Sequence, residues 1–252
     1  MKKFFLYLSF IASLSSCTSE VDNLMDSQIQ NTTRSVFEIS LTYPISSFAE
    51  KCTFTNNDLN ELEGMLNLMQ SYDYMGYVYN PLFEYTKSHG NKIVLIERNN
   101  TLKKQGGYDP RTKKVMFGST ASISNVFPEE FIHFNQDNFY PDGTTQYLTR
   151  GKPNIEMEAK IIEDCASLYG SLSTLYGAGP TYSKQYEQWI WDFVYNSSKH
   201  FPSMNDVLTN KSSGIGYQDF IEDLKKKDPA YNYESINTLN PILIDYIYKN
   251  II

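Results

Sequence analysis

Between Pro128 and Gln136 the chain reads Pro-Glu-Glu-Phe-Ile-His-Phe-Asn-Gln, and Phe127, Phe131 and Phe134 recur through it at helical spacing. Pro128 suits the first turn of a helix, where a missing N–H costs nothing. A helix that carries three phenylalanines on one stripe has to be covered by other elements. The same nine residues hold Glu129, Glu130 and His133, so ionisable groups are built into a segment that must pack.

The flanking sequence supplies the elements that can cover it. Thr55-Asn56-Asn57-Asp58 offers helix caps, and Leu59, Leu62, Leu66 and Met69 follow at helical spacing. Tyr74 to Ser88 reads as a second helix, with Asn80-Pro81 as its break and Gly90 as its stop. Two regions read as strands: Val36 to Leu41, which alternates, and Lys92 to Glu97, which is rich in β-branched residues. A strand pair follows in Gly106-Gly107-Tyr108 and Lys114 to Phe117, joined by the turn Asp109-Pro110-Arg111-Thr112. Beyond the phenylalanine helix, Tyr140-Pro141-Asp142-Gly143 forms a turn. Pro153-Asn154 opens a long helix to about Tyr176, stopped by Gly177 and Gly179-Pro180. Tyr182 to Ser198, Tyr217 to Lys226 and Ser235 to Lys249 are further helical segments. The expected class is α+β, mainly helical with a small antiparallel β-sheet.

Met1-Lys2-Lys3 and the apolar run Phe4 to Leu14 have the form of an export signal, too short to span a bilayer. The signal ends in Leu14-Ser15-Ser16-Cys17, which resembles a bacterial lipobox; the resemblance implies cleavage before Cys17 and lipidation of its thiol. Residues 1–17 are thus expected to be a lipoprotein signal, 18–34 a polar tether and 35–252 one domain. The expected place is the cell envelope, lipid-anchored at the outer membrane. Glu20 and Asp22 resemble surface-export signals of some Bacteroidetes lipoproteins, and the periplasmic and surface faces both stay open. A net charge of -7, with Lys225-Lys226-Lys227 as the longest basic run, argues against a nucleic-acid partner. With Cys17 consumed by lipid, Cys52 and Cys165 could pair in an oxidising compartment; Cys165 also reads as a simple buried thiol.

The chemistry-bearing residues begin with Glu129 and His133, which share a helix face at i and i+4. Glu130 is rotated by one residue, within reach of a water held on that face. The pattern is that of HExxH, in which two histidines bind zinc and the adjacent glutamate is the general base, with Glu129 in place of the first histidine. A third ligand is expected from the next helix. Glu158 lies on the apolar stripe of Ile161, Ile162, Cys165, Tyr169 and Leu172, where a carboxylate must be paired, protonated or metal-bound. Glu156 competes through its Glu-x-x-Ala spacing, although its face carries Lys160 and Glu163 and reads as solvated.

The order of a hairpin, Glu-Glu-Phe-Ile-His-Phe-Asn-Gln and Asn-x-Glu-x-Glu-Ala over residues 92–170 resembles the zincin-type metallopeptidase core. More narrowly, it resembles a group of Bacteroidetes lipoproteins of metallopeptidase type. That resemblance implies metal ligands Glu129 and His133, a third ligand in Glu156 or Glu158, and Glu130 as the water-activating base. It also implies a divalent metal and a peptide or protein substrate. One histidine with two carboxylates is a hard ligand set, so manganese or iron(II) stands beside zinc. Without a metal, at least one of the clustered carboxylates should hold a proton near neutral pH.

The competing reading is a non-catalytic glycan- or protein-binding lipoprotein on the same scaffold, using some of the 20 tyrosines. A glycosidase would pair Glu130 with Glu158 or Asp137. His89 and His200 sit near helix C-termini, where a dipole contact accounts for them.

Overall fold

The computed structural model describes residues 41–73, 75–102, 105–168, 183–209 and 214–251. The export signal, Cys17, the tether, the strand expected from Val36 to Leu41 except for Leu41 itself, and the distal end of the long helix lie outside them. Nine helices and three strands occur among the described residues, and the class is α+β as expected. They are α1 (Ile45–Phe48), α2 (Asn56–Gln70), α3 (Gly76–Ser88), β1 (Leu95–Asn99), β2 (Gly106–Asp109), β3 (Lys114–Gly118), α4 (Ile123–Phe139), α5 (Lys152–Ser167), α6 (Ser183–Asn196), α7 (Met204–Thr209), α8 (Tyr217–Lys227) and α9 (Ile242–Asn250). None of these helices is long and apolar enough to cross a membrane.

Capping explains where several of them begin. Thr55 caps α2 by accepting from Asp58 N at 3.3 Å, and Leu62, Met65, Leu66 and Met69 form the buried face. Gly90, at φ +66°, lets the chain leave α3 through the left-handed region, as expected of a stop. Pro81 is accommodated inside α3 rather than ending it.

The phenylalanine helix α4 starts earlier than Pro128, at Ile123, and Pro128 lies within it. Its cap is Ser122, whose side chain accepts from Asn125 N at 3.3 Å. Glu61 on α2 steadies that turn, accepting from Ser122 Oγ at 2.9 Å and from Ser124 N at 2.9 Å. Beyond α4, the C-terminal helix begins only at Ile242, with Pro241 as its cap residue, because a residue preceding proline is driven out of helical backbone.

The sheet is mixed rather than antiparallel, with strand order β1-β3-β2. β2 and β3 form the expected antiparallel hairpin, but β3 inserts between β2 and β1 and so pairs with β1 in parallel. The run Lys92 to Glu97 is divided: Ile93 bridges Ala49, and β1 proper starts at Leu95. Cys52 bridges Ile96 beside the sheet while Cys165 is buried on α5, and both thiols are free, so the pairing that export would permit is not made.

α4 packs against α2, α5 and β2, which makes it the central element. Phe131 is its anchor, with ring centroids 4.4 Å from Phe83, 5.5 Å from Phe48 and 5.8 Å from Phe127. Burying such a ring contributes roughly 1.5–3 kcal/mol, so this cluster fixes the rotation of α4 about its axis. With the phenylalanines turned into the core, Glu129 and His133 are turned toward α5.

Candidate metal centre

α5 follows Gly151, at φ +89°, and Pro153 sits in its first turn. A β-carbon at Gly151 would lie 2.9 Å from Ile236 Cδ1, so both the backbone angle and the space call for glycine. From this start α5 projects Glu156, Lys160 and Glu163 at helical spacing along its face toward α4.

Three groups converge between the helices. His133 Nε2 lies 3.5 Å from Glu156 Oε2 and 3.9 Å from Glu129 Oε1, and one donor atom from each residue falls within 4.8 Å of the other two. All three residues are half-buried. Donor atoms at about 2.1 Å from one tetrahedral ion are about 3.4 Å apart. The separations from His133 are close to that spacing, and the residues present fit a divalent cation.

Lys160 completes the charge pattern. Its Nζ lies 2.6 Å from Glu129 Oε1 and 3.0 Å from Glu163 Oε2, and the residue is 4 % exposed. Burial would lower its pKa, but Glu163 and Glu129 outweigh burial and raise it. His133 follows the same logic: burial lowers its pKa, while Glu156, Glu130 and Glu129 override that and push it up to about 10. The Glu156 carboxyl, though buried, is held low by His133, Lys152 and Lys160.

Glu130 lies on the side of α4 toward β2, where Tyr108 N donates to its Oε2 at 2.6 Å. Burial pushes its pKa up to about 7, helped by Glu129 and Glu156 and opposed by His133 and the Tyr108 N–H. Tyr79 is fully buried within the field of Glu163, Glu129 and Asp164, and its hydroxyl has no hydrogen-bond partner.

Of the expected ligands, Glu129 and His133 are brought together, and the third partner is Glu156. Glu158 is not in the centre. It is fully buried on another face of α5, where its carboxylate meets Gln136 Nε2 at 2.8 Å, Tyr140 Oη at 2.8 Å and Leu243 N at 2.8 Å. The apolar stripe marks the core rather than the cluster, and the face that reads as solvated is the one that meets α4. Asp137 is no partner for Glu130, since it accepts from Tyr108 Oη at 2.9 Å and Thr144 N at 2.8 Å and secures the following turn. His89 and His200 hold nearby helix carbonyls, Tyr85 O at 2.9 Å and Val194 O at 2.7 Å.

Sequence reasoning missed Lys160 and Glu163 as members of the cluster. The signal was their i+4 and i+7 spacing from Glu156; what could not be read was that α5 turns this face to α4. No protein-family model, no curated protein and no solved structure matches the chain.

Proposed function

We propose that the chain is a metal-dependent hydrolase of the cell envelope, a variant of the zincin-like metallopeptidase pattern held to the membrane by lipid at Cys17. Its ligands are Glu129, His133 and Glu156, its general base is Glu130, and its substrate is a peptide or protein. The observation that carries this reading is the meeting of three donor atoms from two helices within 4.8 Å of one another. A divalent ion there would polarise a carbonyl and acidify water, with manganese, iron(II) and zinc all compatible with one imidazole and two carboxylates.

The chain's own groups do the rest. Glu130, with one oxygen fixed by Tyr108 N, would take a proton from a water and return it. Glu129 brings a negative charge where the zincin pattern has a neutral imidazole. Lys160, 2.6 Å from it, offsets that charge, so the pair Glu129–Lys160 is nearer in net charge to a histidine than Glu129 alone.

The test is metal analysis of the purified protein together with peptide hydrolysis. One equivalent of metal, lost in His133→Ala, and hydrolysis lost in Glu130→Gln with metal retained, are the expected results. Protein that takes up none of zinc, manganese and iron(II) overturns the reading. The contact between Lys160 and Glu129 suits the second reading in that event: a non-catalytic binding protein in which the chain's own cations, Lys160 among them, balance the cluster.

A further inference from the structure

We propose that Gln136 and Glu158 are positioning residues for His133, a buried hydrogen-bond chain that fixes which ring nitrogen faces Glu129 and Glu156. The inference deepens the metal-centre reading and rests on it for its purpose, though not for its geometry.

The chain can be followed atom by atom. Gln136 is fully buried, and its Nε2 donates to Ile155 O at 2.9 Å and to Glu158 Oε2 at 2.8 Å. A backbone carbonyl and a carboxylate oxygen paired with that amide both ask for a donor, so the NH2 group belongs there and Oε1 faces the ring. His133 Nδ1 lies 2.8 Å from Gln136 Oε1, and since Oε1 only accepts, Nδ1 must carry a proton. Nε2 is thereby the nitrogen that faces Glu156 at 3.5 Å and Glu129 at 3.9 Å. Turning the ring over would set a carbon against Oε1 and leave a buried acceptor unpaired.

Glu158 holds the other end. Its Oε1 accepts from Leu243 N at 2.8 Å and Ile244 N at 3.2 Å, two first-turn amides of α9 that no helical carbonyl can serve. Tyr140 Oη lies 2.8 Å from Glu158 Oε2 and 3.0 Å from Asn240 O, tying the same carboxylate to the segment that precedes α9. The seating of the C-terminal helix thus sets Glu158, Glu158 sets Gln136, and Gln136 sets the imidazole. Partners of this kind behind a metal-binding histidine are typically worth 10–100-fold in metal affinity.

The experiment uses the full chain, freed of metal by chelation, with 15N-labelled histidine. The chain has 3 histidines, and His133→Asn identifies the signals of His133 by their loss. The expected result is a slowly exchanging proton on Nδ1, which exchanges at least about tenfold faster in Gln136→Met because its acceptor is gone. Zinc and manganese titrations should show binding about 10–100-fold weaker in Gln136→Met, with a change in the same direction in Glu158→Gln. A wild-type Nδ1 without a proton, an exchange rate indifferent to Gln136→Met, or unchanged metal affinity overturns the proposal. If Gln136→Met does not fold, the wild-type ring signal and Glu158→Gln decide. A protected Nδ1 proton in wild-type protein that binds neither metal leaves the chain of bonds standing and removes the metal reading instead.

Discussion

A lysine that is 4 % exposed keeps its charge only if its partners outweigh the cost of burial, and Glu129 and Glu163 lie 2.6 and 3.0 Å from Lys160. Removing it leaves Glu129 and Glu163 facing one another with one cation fewer. We expect Lys160→Met to lose about 3–5 kcal/mol of stability at neutral pH in the metal-free chain, read by urea denaturation. Added zinc or manganese should recover part of that loss if the centre holds a metal ion; no recovery would favour the chain's own cations as the counter-charge. The centre was half legible at this scale. Glu129, Glu130 and His133 were readable because helical spacing alone sets their relation. The choice between Glu156 and Glu158 was not, because an apolar stripe tells which face of α5 is buried and not which buried neighbour awaits it. Glu158 found helix amides from Leu243 and Ile244, residues far along the chain that no local pattern points to.

Among the elements, β2 and α4 meet at a position with no room for a side chain. A β-carbon at Gly106 would overlap Val126 Cγ1 and lie 3.2 Å from Met116 O. Gly106→Ala should therefore push β2 off α4, costing about 1–3 kcal/mol in a thermal or urea melt. It should also loosen the amide of Tyr108 that Glu130 holds, seen as faster hydrogen exchange at that residue. Val126→Ala in the same chain should restore most of both; a double variant no better than the single one would mean that the strain lies elsewhere. Local signals worked for the elements that carry their own caps, such as α2 behind Thr55. They failed where a partner supplies the stop or start. Glu61, on α2, steadies the Ser122 turn that begins α4, and Pro128, the expected start, is absorbed within the helix. The parallel pairing of β1 with β3 was hidden for a similar reason: hairpin spacing joins β2 to β3 but does not say which of the two faces β1.

The whole molecule carries an excess of buried acids, and this sets how its stability should respond to pH. Asp164 shows it most: burial first, then Glu163, push its pKa from 3.8 up to about 8, against the Tyr186 hydroxyl that donates to it at 2.7 Å. Because the folded value is the higher one, the unfolded chain releases this proton first as pH rises. The contribution of Asp164 is complete below pH 3.8 and is lost progressively up to about 8. His133 acts in the same sense at higher pH, from its ordinary 6.5 up to about 10. The opposite sign belongs to Asp58, lowered mainly by Arg98, and to Glu61, where donors from Ser122 and Ser124 overcome burial. Their stabilisation is lost as pH falls through their lowered values, so acid unfolding lies below the ordinary carboxylate range. The metal-free chain should consequently be most stable in mildly acidic solution and weaken toward neutrality. Urea midpoints should fall between about pH 5 and pH 8, and Asp164→Asn, which keeps an acceptor for Tyr186 but cannot ionise, should flatten that fall. A wild-type midpoint that stays level or rises over the same interval would show that Asp164 is ionised in the folded chain at low pH, and that the acids around Lys160 are better compensated than their burial implies.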